Sequence, residues 1–398
     1  MGEAWRNWSG SVRFSPARRV RAHSEDEIAV VVREANAQGR SVRVVGSGHS
    51  SNGILVGPDV LVTLERLSGV IEADRTRCEA RVLPGTTLEE LGRLLYEHDL
   101  ALPNYGDVAT QTIGGAIGTG THGSGRRLHN LSQMLIGARL VDGRGQVREI
   151  DATDVERLRA ARVALGALGI FTELRLALVP AFDVERREYA TSTDAALAHL
   201  DELAAHNYSF DFYWYPRRDD VKLRLVNPVG GGTRDLPYAR LLERRGGYAH
   251  QLIPTHSGLP HLFEECEYAM PADAGVACFR AVRERILARW RRVVGWRVLY
   301  RTVAADDADL STASGRDTVT VSLHQNASLP WRAFFADIEP IFRDHAGRPH
   351  WAKKHSLRGE RLAALYPRWM HFQDVRAQFD PDGTFLTPQL RRLLGVAA

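Results

Sequence analysis

Three cysteines in 398 residues, Cys78, Cys266 and Cys278, are too few for a disulfide framework, and none has Cys-x-x-Cys or other metal-ligand spacing. A reduced, cytoplasmic setting is expected, with no metal site. No apolar run approaches the length that crosses a bilayer, and Met1 to Pro16 lack the basic-then-apolar order of a secretory leader. Neither sign of charge dominates: 52 Lys and Arg oppose 48 Asp and Glu, interleaved, with only short clusters such as Arg289, Arg291 and Arg292. This argues against a nucleic-acid partner. There is no internal repeat and no low-complexity tract. At 44% hydrophobic and 25% charged residues, the chain can bury the cores of two or three ordinary globular domains.

Two glycine-rich segments stand out against this plain background. Residues 44–53, Val-Val-Gly-Ser-Gly-His-Ser-Ser-Asn-Gly, place His49 in a turn directly after an apolar stretch. Gly46 and Gly48 let the backbone adopt positive φ and approach a ligand, and consecutive N–H groups there form an anion-binding concavity suited to a pyrophosphate. A histidine in that cradle serves coordination, proton transfer or a covalent bond to the ligand. The plain alternative is a Gly-Ser turn with a solvent-facing histidine. The second segment, 102–125, is too glycine-rich for a helix or regular strand and reads as a backbone wrap around a large flat ligand. Its embedded Ile113, Ala116 and Ile117 argue against a free linker.

Strand and helix signals alternate around these segments. Ser24 caps a helix over 24–39, and 87–98 repeats that pattern. Ser41–Val45, Leu61–Leu64 and Cys78–Val82 read as strands, and Leu135–Val141 with Gln146–Ile150 as a hairpin around Asp142-Gly143-Arg144-Gly145. Leu165–Leu178 closes a first domain near Pro180. Beyond it, Tyr208–Tyr215 and Asp317–His324 read as strands, and 192–205, 272–292 and 331–346 as helices. Residues 228–260 read as a loop. The fold class is α+β.

Together these segments resemble the vanillyl-alcohol-oxidase-type FAD-linked oxidases, and within them the aldonolactone oxidase and alditol oxidase group. The likeness rests on Gly46-Ser-Gly-His-Ser50, the 102–125 loop, Leu165-Gly-Ala-Leu-Gly-Ile170, and Ala304-Ala-Asp306 with Leu310-Ser311 and Arg316-Asp317. Arg348-Pro-His-Trp-Ala-Lys353 and Asp380-Pro-Asp-Gly-Thr-Phe385 complete it. Six modest motifs in the right order make a strong signal.

The resemblance implies a two-domain flavoprotein, with an FAD-binding domain over 1–180, a substrate (cap) domain over 181–350, and a segment 351–398 returning to the first. His49 matches the histidine that bonds covalently to the flavin's C8 methyl group. The implied cofactor contacts are Val45, Gly46, Ser47, Gly48, His49, Ser50, Gly106, Asp107, Gln111, Thr112, Gly115, Gly118, Thr119, Thr121, His122, Gly123, Gly169 and Ile170. No cysteine lies in the long loop for a second tether, so Cys78 and Cys266 are expected as buried small residues. Gly106 matches the position gating oxygen access, which implies an oxidase releasing hydrogen peroxide.

The implied substrate is a small hydroxylated molecule, a sugar lactone or related polyol, and the implied acceptor is O2 or another oxidant. Lys353 and Arg301 match the substrate-side cations, and His324 is a candidate proton acceptor or a satisfied core histidine. Tyr213, Tyr215 and Arg217 are candidate pocket residues, although aromatics at this spacing also fill sheet cores. One departure stands out. Leu299 replaces the glutamate that commonly precedes the arginine by two positions, leaving Arg301 without an adjacent counter-charge. Oxidation or dehydrogenation of an alditol or another small alcohol, and a non-catalytic flavoprotein, are therefore alternatives.

Overall fold

The computed structural model describes residues 4–254 and 262–397. The expected 228–260 loop therefore lies partly outside the described residues. Helix Glu25–Ala37 starts as its sequence dictates, with Ser24 Oγ accepting from Glu27 N–H at 3.2 Å. It buries Ile28, Val31, Val32 and Ala35 against a three-stranded parallel sheet of Arg18–Arg21, Val60–Thr63 and Val42–Val45. A five-stranded antiparallel sheet follows, in the order Val147–Ile150, Leu135–Val141, Ile170–Ala177, Glu79–Val82 and Val70–Asp74. The hairpin 135–150 forms as expected, Val141 opposite Val147.

Two local expectations fail for identifiable reasons. Ile113–Thr119 is a helix despite its three glycines. Glycine costs about 1 kcal/mol per helical position, whereas full burial of an isoleucine contributes about 1.5–3 kcal/mol, and Ile113 and Ile117 are both fully buried. Gly114 is also required by packing, since a Cβ there would come within 2.9 Å of Pro84 Cβ. Within 228–260, Arg240–Tyr248 is a strand pairing with Asp183–Ser192, because backbone pairing along an exposed edge needs no apolar alternation. Cys78 also departs from expectation: it is half-buried at φ 51°, whereas Cys266 is buried.

The larger sheet has eight strands, ordered Arg240–Tyr248, Asp183–Ser192, Asp220–Pro228, Ser209–Tyr215, Val298–Val303, Thr318–Asn326, Phe263–Pro271 and Arg348–Pro349. One face is an apolar core in which Phe212 stacks on Tyr300 at 4.8 Å and Phe279 packs edge-on against Phe212. The period of two sends the alternate residues to the other face. Register aligns Tyr213, Leu299, Ser322 and Glu267 in one row across four strands, and Asp211, Arg301 and Thr320 in a second. Glu265 sits opposite His324. A sheet face this rich in charge is a site wall.

The C-terminal residues reach back to the first sheets. Val42 N–H donates to Thr384 O at 2.8 Å and Ser51 N–H to Ala352 O at 2.7 Å. The buried Arg43 guanidinium donates to the carbonyls of Leu165, Gly166 and Phe385 at 2.5, 3.0 and 3.2 Å. Among the described residues no helix is long and apolar enough to cross a membrane.

Candidate active site

A cleft of about 900 Å³ runs between the turn 46–50, the segment 111–119 and the segment 165–169. Strand Val42–Val45 delivers the turn, in which Gly48 takes φ 71° and its carbonyl accepts from Trp8 N–H at 2.9 Å. Here glycine is a steric necessity: a Cβ on Gly46 would lie 2.0 Å from Thr112 Oγ1. Gly118 opens onto free space, with nothing within 4 Å of the Cβ position. Bare backbone from both glycine segments thus lines one elongated space, which suits a dinucleotide's phosphates and flat ring.

His49 sits at the cleft wall with its ring clamped. Nε2 lies 3.0 Å from Thr110 Oγ1, and the Trp8 indole stacks on the ring at 5.2 Å between centroids. Burial, helped by the nearby positive charge of Lys353, pushes its pKa down to about 4, so the imidazole is neutral at pH 7. A neutral ring nitrogen is a nucleophile. Half-buried, stacked on Trp8 and within hydrogen-bond distance of Thr110, the ring is not the free solvent-facing side chain of the plain alternative.

A second cavity, of about 570 Å³, is lined by Gly106, Asp107, Gln111, Thr121 and His122 on one side and by the charged sheet face on the other. Gln111 lines both cavities, so they share a wall. Lys353, Arg301 and His324 all line this second cavity, although 52 residues separate the lysine from the arginine in sequence.

Carboxylates organise these cations. Lys353 Nζ and Ser322 Oγ both hydrogen-bond to Glu265, and His324 Nε2 lies 3.4 Å from Glu265 Oε1. Burial works to raise the Glu265 pKa, but the charge and hydrogen bond of Lys353 hold it below the usual carboxylate range. Burial pushes His324 down to about 4, against the pull of Glu265, so it is neutral with Nδ1 buried and without a hydrogen-bond partner among the described residues.

Arg301 is better supplied than its sequence neighbours indicate. Its NH2 lies 2.6 Å from Asp107 and its Nε 3.7 Å from Asp211. This corrects the expectation from Leu299: the counter-charge arrives across the sheet and from the glycine loop. Asp107 also accepts from Arg224 NH2 at 2.9 Å and Tyr213 OH at 2.8 Å. The Arg297 guanidinium lies 3.7 Å from the centroid of the Tyr213 ring.

Among the described residues, one grouping, His122, Glu267 and His350, brings three metal-compatible side chains within 4.8 Å. Its hydrogen bonds favour protons over a cation. His122 Nδ1 donates to Gly123 O at 2.9 Å, so the 2.7 Å contact of Nε2 with Glu267 Oε1 needs a shared proton. His350 Nδ1 accepts from Ala352 N–H at 3.1 Å, which leaves the neutral ring's proton on Nε2. A metal would have to displace both protons.

Twelve of the residues expected at the cofactor line the cleft: Val45 to Ser50, Gln111, Thr112, Gly115, Gly118, Thr119 and Gly169. Gly106, Asp107, Thr121 and His122 line the polar cavity instead. Two line neither. Gly123 packs against Asn104 and Tyr105, with 2.2 Å from its Cβ position to Asn104 Oδ1, and Ile170 is fully buried in the core beside Val141 and Phe385. Tyr213 lies beneath the cavity wall, while Arg217 points to the Val294 carbonyl at 3.1 Å. Sequence reasoning missed Glu265, Glu267, Arg297 and His350. The signal was present in Phe263-Glu-Glu-Cys-Glu-Tyr268, where acids alternate through a buried strand, and in the second histidine-bearing motif.

Residues 16–151 match the family described as FAD binding domain, and residues 257–393 the family described as D-arabinono-1,4-lactone oxidase. Over 99% of this chain and 100% of the other protein, the sequence is 33% identical to L-gulono-1,4-lactone dehydrogenase of Mycobacterium tuberculosis. The chain belongs to the FAD-linked aldonolactone oxidase and alditol oxidase family. Alditol oxidase of a Streptomyces species is 31% identical over 99% of this chain and all of its own length. The crystal structure of cholesterol oxidase from B. sterolicum shares the fold, with a TM-score of 0.87 over 99% of this chain and 97% of that one, at 14% identity. The chain is accordingly an FAD-dependent oxidoreductase acting on CH–OH donors. The glycine-lined cleft is the place in this structure that fits FAD.

Proposed function

We propose that this protein oxidises a ring or side-chain hydroxyl of a sugar-derived lactone and passes the electrons to dioxygen. The observation that carries this reading is the shared Gln111 wall, which sets Lys353, Arg301 and His324 beside the cofactor cleft. Bound FAD supplies a two-electron acceptor for the hydrogen leaving carbon. The protein does the rest: Lys353 and Arg301 offset the negative charge that develops on the substrate oxygen, and His324 Nδ1 takes the hydroxyl proton. Glu265 Oε1 lies 3.4 Å from His324 Nε2 and sets the electrostatics on that side of the ring. Leu299 and Phe263 give the cavity an apolar edge that a ring C–H face complements better than an open-chain polyol does. In this reading 1–180 carries the cofactor, 181–350 the substrate and 351–398 returns to the first unit, with His49 bonded to the flavin.

Dioxygen as acceptor rests on Gly106, beside which a methyl group would come within 2.9 Å of Thr121 Cγ2. A second reading, a dehydrogenase using another acceptor, is favoured by the name of the 33% identical mycobacterial relative. Peroxide detection over a panel of lactones, alditols and simple alcohols tests substrate class. Stopped-flow reoxidation in air tests the acceptor. Lactone turnover with rapid reoxidation is expected; fast reduction followed by reoxidation over minutes makes it a dehydrogenase, and a flavin that no alcohol reduces makes it non-catalytic.

A further inference from the structure

Thr110 holds the His49 turn at two points. Its carbonyl accepts from Ser47 Oγ at 2.5 Å, and its hydroxyl meets His49 Nε2 at 3.0 Å. Trp8 holds the opposite side of the turn. Its N–H bonds Gly48 O at 2.9 Å, its indole stacks on the His49 ring at an interplanar angle of 29°, and its edge packs on Phe263 of the polar cavity at 5.0 Å. The imidazole is thus fixed in position, plane and hydrogen bonding, while Nδ1 has no hydrogen-bond partner among the described residues.

We propose that Thr110 and Trp8 are positioning residues for covalent attachment of the flavin, with Nδ1 as the attacking nitrogen and Thr110 Oγ1 exchanging acceptor for donor as the bond forms. The proposal rests on the reading that His49 carries the flavin. Before attachment, Nε2–H donates to Oγ1 and the lone pair lies on Nδ1. Attachment replaces one C–H bond of the flavin C8 methyl by a C–N bond to Nδ1. Two protons leave, one from the methyl group and one from Nε2, and two electrons remain on the flavin. Dioxygen removes these as hydrogen peroxide, so the step balances. The alkylated imidazole then carries an Nε2 lone pair, and Thr110 O–H turns to donate to it. A hydroxyl group can serve both states; a methyl group can serve neither.

The test follows the covalent fraction of bound flavin in the full chain, purified from flavin-starved cells and incubated with FAD in air. Flavin that stays with the denatured polypeptide is measured by in-gel fluorescence and divided by total bound flavin, so partial loss of folded protein does not affect the result. Thr110→Val is expected to attach flavin roughly fivefold more slowly, the equivalent of one ordinary hydrogen bond, and Trp8→Leu to be slowed as well. Thr110→Ser, which keeps the hydroxyl, is expected to match the parent within about twofold. NMR of the proteolysed flavin peptide is expected to show attachment at Nδ1. Parental rates in Thr110→Val, or attachment at Nε2, overturn the proposal while leaving His49 as the anchor. If the parent itself releases all its flavin on denaturation, both the anchor and the positioning role are wrong.

Discussion

Arg301 NH2 lies 2.6 Å from Asp107 Oδ2, joining a strand of the large sheet to the glycine loop that carries Gly106. The contact is buried, with Arg301 6% exposed, and Arg224 and Tyr213 converge on the same carboxylate. Asp107→Asn leaves two arginines short of a negative charge inside the protein. Removing one partner of a buried pair costs about 3–5 kcal/mol. Urea denaturation is expected to register a loss of that size, together with a raised KM because Arg301 is no longer held.

Gly106→Ala separates the two halves of the reaction. The added methyl group must push Thr121 aside, a strain of about 1–3 kcal/mol, and it narrows the space beside the cavity. Reoxidation in air is expected to slow by roughly tenfold or more, the rate equivalent of that strain, while reduction by substrate changes little. Equal slowing of both half-reactions in stopped-flow would mean general distortion and not a gate.

Lys353→Met removes the cation beside Glu265 and keeps a side chain of similar length. Loss of one such charge-stabilising group typically costs about 10²–10³ in kcat. Steady-state kinetics are expected to show the fall chiefly in kcat, with KM altered less, because the charge on oxygen develops after binding.

Acid is expected to weaken the fold between pH 6.5 and 4. Burial holds His324 and His350 down to about 4 in the folded protein while the unfolded chain titrates near 6.5, so across that window the unfolded state binds more protons and stability falls as the pH drops. Each shift is worth on the order of 3 kcal/mol when fully expressed. Asp380 acts in the opposite sense, since burial raises it to about 6 and the folded state there binds the extra proton. Denaturation midpoints are expected to decrease from pH 7 to pH 5, and the His324→Gln variant to show a shallower decrease.

Leu299→Glu tests the apolar edge. The new carboxylate would lie in the register row that already ends in Glu267, at a position 2% exposed. A buried charge without its own partner costs several kcal/mol, about the size found on breaking a buried pair. Weaker lactone turnover is expected, with relative gain for open-chain alditols in the same peroxide assay. Unchanged preference across the panel would mean that Leu299 does not face the substrate.

Local chemistry is legible in the amino-acid order. Ser24 as a cap, the hairpin at Asp142–Gly145 and the glycine turn 46–50 depend on near neighbours in the chain, and each formed where its residues directed. The motifs that carry Lys353 and Arg301 meet in one cavity. Helix Ile113–Thr119 was hidden because its glycines disfavour it locally, and the burial of Ile113 and Ile117 that outweighs them depends on distant partners.

The cofactor and the kind of chemistry are written in short motifs, since it is the six of them in order, and not the glycine turn alone, that carry the family. The charge balance of the substrate cavity is not. Asp107, Asp211, Glu265 and Glu267 come from three separate parts of the chain and meet Arg301, Lys353 and His324 through strand register and loop docking. Electrostatic interaction depends on distance through space, so an arginine that looked unaccompanied in sequence proved to be held by two carboxylates.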